Sequence, residues 1–159
     1  MQLSSLVYII REDRWLMLYR NKKKHDVNAG KWIGVGGKME DGESLRECAY
    51  REIAEETGMS GGTLQYAGML YFHYSGEEDE KICVYLGYDF AGEPGECTEG
   101  TLAWINREDI LSLQLWEGDR IFLKRLLEGD LSPFCLDLCY DGQGNLLHWQ
   151  QRDAEPEKV

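Results

Sequence analysis

Three carboxylates stand within five positions of the sequence, at Glu52, Glu55 and Glu56. At about 100° per residue on a helix, Glu52 and Glu56 fall among the apolar residues of one face, and Glu55 lies at the edge of that face. Like charges one turn apart repel even in water, and burying them without partners would cost far more. A hard divalent cation such as Mg²⁺ removes this cost, because it prefers carboxylate and carbonyl oxygens as ligands. The pattern therefore favours a metal site over a solvated acidic helix surface.

The residues around these carboxylates predict where the helix begins and ends, and they place a glycine-rich strand directly before it. Asp41 is expected to cap the N-terminus, with Glu43 and Ser44 in the first turn. Gly58 suits the left-handed position at which many helices end. Before the helix, a strand predicted over residues 32–37 runs into glycines, whose small size lets the backbone approach a ligand closely.

Residues 37–59 resemble the Nudix box in every fixed position. The match consists of Gly37, five residues, Glu43, seven residues, Arg51-Glu52-Ile53, one residue, Glu55-Glu56, one residue and Gly58-Met59. The resemblance implies an α/β fold, an α/β/α sandwich with a mixed β-sheet. It also implies a hydrolase of nucleoside diphosphates linked to another group, with Mg²⁺ as the cofactor and Mn²⁺ as an alternative.

The resemblance assigns roles to individual residues. Glu52 and Glu56 are expected to bind the metal ion together with the carbonyl group of Gly36. Glu55 is expected to be either a third ligand or the base that orients the attacking water. Glu99, delivered by a loop, is the alternative base and a further ligand. The residues with a supporting role, which shape the loop and hold it on the helix, are Gly37, Glu43, Arg51 and Gly58.

Segments outside the box resemble the MutT-type 8-oxo-dGTP diphosphatases, and most closely their short bacterial members. These segments are Ala29–Trp32, Gly34, Gly36–Lys38 and the pair Trp116 and Asp119. The resemblance implies cleavage between the α and β phosphates, which gives a nucleoside monophosphate and pyrophosphate. Trp116 would stack on a purine, and Asp119 would form hydrogen bonds with the edge of the base. Animal members usually have an asparagine where this chain has Ile33, and two adjacent aspartates where it has Gly118-Asp119.

Other interpretations of these residues stay open. Trp116 could pack in the core, and Asp119 could cap a helix. Three consecutive lysines precede the box, and one of them, Lys23, could steer phosphates or could simply be solvated. For the function, the alternatives are a Nudix hydrolase of ADP-ribose or of a dinucleotide polyphosphate, and a catalytically silent nucleotide-binding module. The intact set of glutamates argues against the silent module.

Length and charge narrow the range of partners. The 159 residues suit one domain, predicted over residues 1–152, followed by a flexible tail over residues 153–159. A net charge of −12 disfavours nucleic-acid polymers, whereas a small nucleotide can bind through metal ions. No apolar run reaches the roughly 20 residues of a membrane span, and residues 1–10 are predicted to be a strand instead of a signal peptide. The five cysteines lack metal-ligand spacing and indicate reduced thiols in a cytoplasmic protein. We expect a monomer or a homodimer.

Apolar runs predict the remaining elements. Strands are expected over residues 6–10, 15–20, 63–74, 81–90, 101–105, 135–140 and 146–149. The runs 63–74 and 81–90 are expected to form a hairpin or to be neighbouring strands, and a turn over 141–145 joins the last two strands. A helical turn over 107–113 and a second amphipathic helix that opens at 116–119 complete the pattern.

Overall fold

The first strand, β1, runs from Gln2 to Arg11 and is buried on both faces. The computed structural model describes residues 1–157 of the chain. Successive side chains of a strand point to opposite faces of its sheet, so a run without polar alternation must be covered on both sides. Tyr8 accordingly packs into one hydrophobic cluster, while Val7 and Ile9 pack into the other. The sheet therefore lies between two layers.

The residues 1–157 form eight further strands, two α-helices and one 3₁₀ helix. The strands are β2 (Arg14–Tyr19), β3 (Trp32–Ile33), β4 (Val35–Lys38), β5 (Thr63–Tyr74), β6 (Glu80–Tyr88), β7 (Thr101–Asn106), β8 (Phe134–Tyr140) and β9 (Leu146–Gln151). The helices are α1 (Leu45–Thr57), the 3₁₀ helix (Arg107–Ser112) and α2 (Glu117–Leu127). Neither α-helix of this part of the chain has the length and apolar character needed to span a membrane.

The strands form one mixed sheet in the order β3-β2-β1-β6-β5-β8-β9, with β4 paired to β1 and β7 paired to β2. β1 runs parallel to β6, and β5 runs parallel to β8, whereas the other pairs are antiparallel. The apolar side of α1 packs in the cluster with Val7, and that of α2 packs in the cluster with Tyr8. This arrangement confirms the predicted α/β/α sandwich with a mixed sheet.

β1 changes its partner along its length, and this change shapes the site. Its last residues, from Ile9 to Arg11, pair with β2, whereas the segment from Ser4 to Val7 pairs with β4. The sequence predicts one strand over 32–37, but the chain breaks at Gly34 as it passes from β2 to β1. A Cβ atom at Gly34 would lie 2.4 Å from the carbonyl oxygen of Val7, so the crossing requires a glycine.

Helix α1 begins later than the sequence indicates. Ser44 is the N-cap, since its hydroxyl accepts a hydrogen bond from the backbone N–H of Glu47 at 3.0 Å and the Glu47 side chain accepts one from the N–H of Ser44 at 2.9 Å. The expectation that Asp41 caps the helix was wrong, because this reciprocal capping box lies three residues further on. Glu43 therefore stands outside the helix. Gly58 ends it with a φ of 77°, as predicted.

Both predicted hairpins are confirmed. β5 pairs antiparallel with β6, and β8 pairs antiparallel with β9. β6 ends at Tyr88, two residues before the predicted boundary, because Asp89 adopts a left-handed conformation with a φ of 60°.

The segment 153–157 has no regular secondary structure, but acidic side chains attach it to the sandwich. Glu155 accepts hydrogen bonds from Tyr71 and Lys81, and Glu157 pairs with Arg46. These contacts oppose the flexibility that the sequence predicts for 153–159, which stays a prediction. Residues 158 and 159 lie outside the described part of the chain.

Candidate active site

A cleft of about 590 Å³ opens over the N-terminal half of β1 and the adjoining β4. Its walls come from the loop between β2 and β3, the turn between β5 and β6, and the start of α2. Seven of the residues singled out from the sequence line this cleft: Lys23, Gly36, Gly37, Glu52, Glu99, Trp116 and Asp119. The cleft thus brings together residues that are up to 96 positions apart in the sequence. Glu55 and Glu56 do not belong to its lining.

Glu56 lies behind the cleft and is only 6% exposed. Its Oε2 atom accepts a hydrogen bond from the backbone N–H of Gly36 at 3.2 Å, whereas no described residue offers a partner to its buried Oε1 atom. Burial, together with the negative charges of Glu99 and Glu52, raises the pKa of Glu56 to about 9. A buried oxygen without a partner, beside two other carboxylates, indicates that a positive charge belongs here.

Glu52 reaches the cleft because residue 37 has no side chain. A Cβ atom at Gly37 would lie 2.6 Å from the carboxyl carbon of Glu52. Arg51 donates a hydrogen bond to Glu52 at 2.9 Å, yet partial burial is the larger effect and raises the pKa of the Glu52 carboxyl. Glu55 has a different position, because its side chain is 58% exposed and pairs with Arg51 at 3.2 Å.

Arg51 joins the loop before α1 to the helix itself. It donates two hydrogen bonds to Glu43, at 2.7 and 3.0 Å, and a third to the carbonyl oxygen of Lys38 at 3.1 Å. The paired guanidinium lowers the pKa of Glu43 to about 2. The structure thus contains the contact expected of a supporting pair.

Glu99 is held by two cations at the mouth of the cleft. Arg20 donates a hydrogen bond to it at 3.0 Å, and Lys23 donates another at 2.8 Å. Burial acts to raise the pKa of Glu99, but the hydrogen bond from Lys23 and the charge of Arg20 outweigh it and hold the pKa below its usual value. Lys23 therefore lies beside the carboxylates, although its side chain is still 53% exposed.

The donor atoms of the cleft suit a hard divalent cation. Among residues 1–157, no three His, Cys, Asp or Glu side chains are arranged to hold an ion directly. Glu52 and Glu99 are instead turned to Arg51, Arg20 and Lys23. The unpartnered oxygen of Glu56 and the carboxylate oxygens of Glu52 and Glu99 are nevertheless the kind of ligand that a hard cation such as Mg²⁺ prefers.

Trp116 also lines the cleft. Its indole N–H donates a hydrogen bond to Asn28 Oδ1 at 2.8 Å, and the Lys31 ammonium lies 5.1 Å above the ring. The rings of Phe72 and Tyr140 approach it edge-on, and Trp116 is only 3% exposed. A purine therefore gains a stacking face here only after a neighbouring side chain such as that of Lys31 moves aside. Purine stacking stays a prediction.

Asp119 lies in the first turn of α2 and is 7% exposed. Burial raises the pKa of Asp119 to about 7, and the charge of Lys31 opposes this shift only in part. No side chain caps α2, and no donor among the described residues forms a hydrogen bond with the Asp119 carboxyl. The interpretation of Asp119 as a helix cap therefore has no support, and its carboxyl is available to a ligand.

The sequence did not single out three residues that organise the cleft. Arg20 bridges Asp26 and Glu99, and Asn28 accepts the hydrogen bond of Trp116. The partners Glu99 and Trp116 are 79 and 88 residues away along the chain, and no local pattern marks such pairs. The only available signal is the concentration of polar residues in one loop directly after a buried strand.

Comparisons with known proteins agree with this geometry. Residues 2–126 match the model of the NUDIX domain family. An oxidized purine nucleoside triphosphate hydrolase of Danio rerio is 31% identical over 128 residues, which cover 80% of each chain. One of Mus musculus is 28% identical over 155 residues, which cover 97% of this chain and 96% of its own. The crystal structure of a MutT protein from Bacillus halodurans has a TM-score of 0.83 at 26% identity and covers 98% of this chain and 100% of that chain. The chain belongs to the Nudix hydrolase family.

Proposed function

We propose that this Nudix hydrolase cleaves a purine nucleoside triphosphate, preferably one with an oxidised base such as 8-oxo-dGTP, to the nucleoside monophosphate and pyrophosphate. One observation carries the proposal: a single cleft is lined both by the carboxylates of Glu52 and Glu99 and by the pair of Trp116 and Asp119. Carboxylates that can hold a cation suit a polyphosphate, and an aromatic residue beside a hydrogen-bonding group suits a base. Two relatives that match most of the chain are named as hydrolases of oxidized purine nucleoside triphosphates, which supports the choice of substrate.

Nudix hydrolases generally use divalent metal ions. We propose Mg²⁺ for this chain, with Mn²⁺ as an alternative, held by the carboxylates of Glu52, Glu56 and Glu99 and by the carbonyl group of Gly36. Such an ion, when bound, neutralises phosphate oxygens and lowers the pKa of a bound water. The buried position of Glu56 would keep its carboxylate directed at the ion, because the Gly36 N–H fixes one of its two oxygens.

The protein's own residues would orient the water and the phosphates. Of the two candidate bases, Glu99 lines the cleft, whereas Glu55 is 58% exposed and paired with Arg51. We therefore favour Glu99 as the group that accepts a proton from the attacking water. Arg20 and Lys23, which now pair with Glu99, would exchange this contact in part for phosphate oxygens.

The net charge and the cysteines of the chain bear on its partners and its compartment. The net charge of −12 supports a small nucleotide substrate over a nucleic-acid polymer. All five cysteines are free thiols, which suits a reducing compartment such as the cytoplasm. We propose a monomer or a homodimer as the functional unit.

The release of nucleoside monophosphate, measured together with pyrophosphate and orthophosphate in the presence of Mg²⁺, tests the proposal on 8-oxo-dGTP, dGTP, dATP, ADP-ribose and a diadenosine polyphosphate. We expect the highest kcat/KM with 8-oxo-dGTP, no release in the presence of a chelator, and a strongly reduced release by Glu56→Gln. Glu96→Gln removes an exposed carboxylate outside the cleft and should leave the rate unchanged. Orthophosphate without pyrophosphate would contradict cleavage between the α and β phosphates, and turnover of ADP-ribose alone would contradict the substrate.

A further inference from the structure

Asn28 stands on the wall of the cleft next to Trp116, in the loop between β2 and β3. The hydrogen bond from Trp116 Nε1 reaches Asn28 Oδ1 at 2.8 Å. An indole N–H can only donate, so this contact fixes which end of the asparagine amide is the oxygen. The amide nitrogen of Asn28 donates to no acceptor among the described residues. Its two N–H groups are therefore available to a ligand.

The loop holds Asn28 in place before any ligand binds. Its backbone N–H donates to Asp26 Oδ1 at 3.0 Å, and its carbonyl oxygen accepts the N–H of Lys31 at 3.0 Å. Asp26 is itself fixed by Arg20, whose Nε atom lies 2.7 Å from Asp26 Oδ2, and the side chains of both are about nine-tenths covered. The donor of Asn28 is thus preorganised, which reduces the entropy lost when a ligand accepts its hydrogen bond.

Asp119 supplies a second hydrogen-bonding group in the same cleft that has no partner in the described part of the chain. The Asp119 carboxyl lines the same cleft, is 7% exposed, and receives no hydrogen bond from the described residues. Asp119 is buried and Asn28 is partly buried, and neither the Asp119 carboxyl nor the Asn28 NH₂ has a hydrogen-bond partner among the described residues, so the two groups together suit a ligand with both a donor and an acceptor. Ile33 also lines the cleft and has no polar side-chain atom. Among the residues that line the cleft, Asn28 is therefore the one that is hydrogen-bonded to Trp116 and can also donate to a base.

We propose that Asn28 is a specificity-determining residue, whose side-chain NH₂ donates a hydrogen bond to a carbonyl oxygen on the base of the substrate. This inference rests on the proposed function, since it concerns the base of the same nucleotide. Guanine-type bases present an oxygen acceptor at position 6, whereas adenine presents an amino donor there. Asn28 therefore favours 6-oxo purines, because a 6-amino group placed against its NH₂ would leave two donors facing each other.

Asn28→Asp tests the donor with little change in size. The new carboxylate still accepts the hydrogen bond of Trp116 but has no N–H to offer to the base. We expect the ratio of kcat/KM for dGTP to that for dATP to fall by roughly 10-fold. Asn28→Ala, which removes both contacts, should lower the rate with dGTP more than the rate with dATP and should also alter the tryptophan fluorescence. Asn21→Asp adds the same charge to the same loop outside the cleft, so its ratio should equal that of the wild type.

Equilibrium binding separates this inference from the proposed function. The dissociation constants of dGMP and dAMP are measured by calorimetry for the wild type, Asn28→Asp and Asn21→Asp, without turnover. A wild type that hydrolyses no purine triphosphate but prefers dGMP, and loses that preference only in Asn28→Asp, contradicts the reaction and supports the role of Asn28. If the wild type hydrolyses purine triphosphates and its ratio of kcat/KM for dGTP to that for dATP equals the ratio of Asn28→Asp, the role of Asn28 is wrong and the proposed function stands. Binding of neither monophosphate together with no turnover overturns both.

Discussion

The carboxyl group of Glu56 is buried, and one of its oxygens accepts no hydrogen bond from the described residues. We predict that Glu56→Gln lowers kcat by roughly 100- to 1000-fold, because a charged ligand is lost where phosphate charge must be neutralised. The metal-free protein should keep or raise its Tm, since a neutral amide replaces an acid whose charge burial disfavours. Pyrophosphate release and thermal unfolding in a chelator measure the two effects. A Tm several degrees below that of the wild type would show that Glu56 supports the fold and would contradict the prediction.

Asp119 makes stability depend on pH in a defined direction. Its pKa is about 7 in the folded protein and about 3.8 without burial, so unfolding releases the proton throughout the window between these values. The unfolded state binds fewer protons there, and the free energy of unfolding therefore falls as pH rises from about 4 to about 7. We predict that Asp119→Asn has a higher Tm than the wild type at pH 8. The difference in Tm should be several degrees larger at pH 8 than at pH 4.5.

Asp153→Asn provides the control for this pH dependence, because Asp153 is exposed. Its Tm relative to the wild type should be the same at both pH values. Equal effects of Asp119→Asn at pH 4.5 and pH 8 would mean that the Asp119 carboxyl is solvated, and would remove the physical basis for its role at the base.

The residues of the site differ in how far the sequence could predict them. Glu52 and Glu56 could be placed on the inner face of a helix, because helical periodicity fixes the directions of side chains one turn apart. The contacts of Glu99 with Arg20 and of Trp116 with Asn28 depend on how distant segments pack. A tryptophan also gives the same sequence signal whether it lines a cleft or is covered, so the 3% exposure of Trp116 could not be foreseen.

At the level of elements, β4 illustrates how two adjacent glycines serve different purposes. A Cβ atom at Gly36 would lie 2.0 Å from the backbone oxygen of Ser5, which cannot move without breaking the pairing of β4 with β1. The three atoms nearest to a Cβ atom at Gly37 all belong to the end of the flexible Glu52 side chain. We predict that Gly36→Ala lowers the free energy of unfolding by about 2 kcal/mol or more, whereas Gly37→Ala changes it by less than about 1 kcal/mol.

Gly37→Ala, which should change stability little, should have a large effect on activity. Gly37→Ala displaces the Glu52 carboxylate and should lower kcat/KM by at least roughly tenfold in a protein that is still folded. Denaturant unfolding and pyrophosphate release on both variants measure the contrast. Normal activity of Gly37→Ala would indicate that Glu52 has room to move aside and that its present position is not needed for catalysis.

The strands themselves could be located from the sequence better than their pairing. β5 and β6, and likewise β8 and β9, are joined by short turns, so their antiparallel pairing follows from the chain alone. The parallel pairing of β1 with β6 joins segments that are about 78 residues apart, and its register is set by packing on both faces. The insertion of β4 beside β1 has the same origin. Only the resemblance of the box to a known family predicted a mixed sheet.

For the molecule as a whole, the segment after β9 connects three elements. Glu155 receives hydrogen bonds from Tyr71 of β5 and Lys81 of β6, and Glu157 pairs with Arg46 in the first turn of α1. The composition of this segment is polar and contains a proline, so sequence alone indicates a solvated tail. Its carboxylates instead neutralise cations that are partly covered, which ties the helix carrying Glu52 and Glu56 to the sheet.

We predict that a chain ending at Arg152 is less stable than the full chain by about 2 kcal/mol, which corresponds to a fall in Tm of about 4–8 °C. The truncation removes three acidic residues and one lysine from a chain with a net charge of −12, so reduced repulsion alone would raise the Tm. A chain ending at Glu157 keeps the described contacts and should match the full chain. The preference between dGTP and dATP should be unchanged, because none of residues 153–157 lines the cleft. Equal Tm values for all three chains would show that these ion pairs contribute nothing in solution and that the predicted flexible tail is correct.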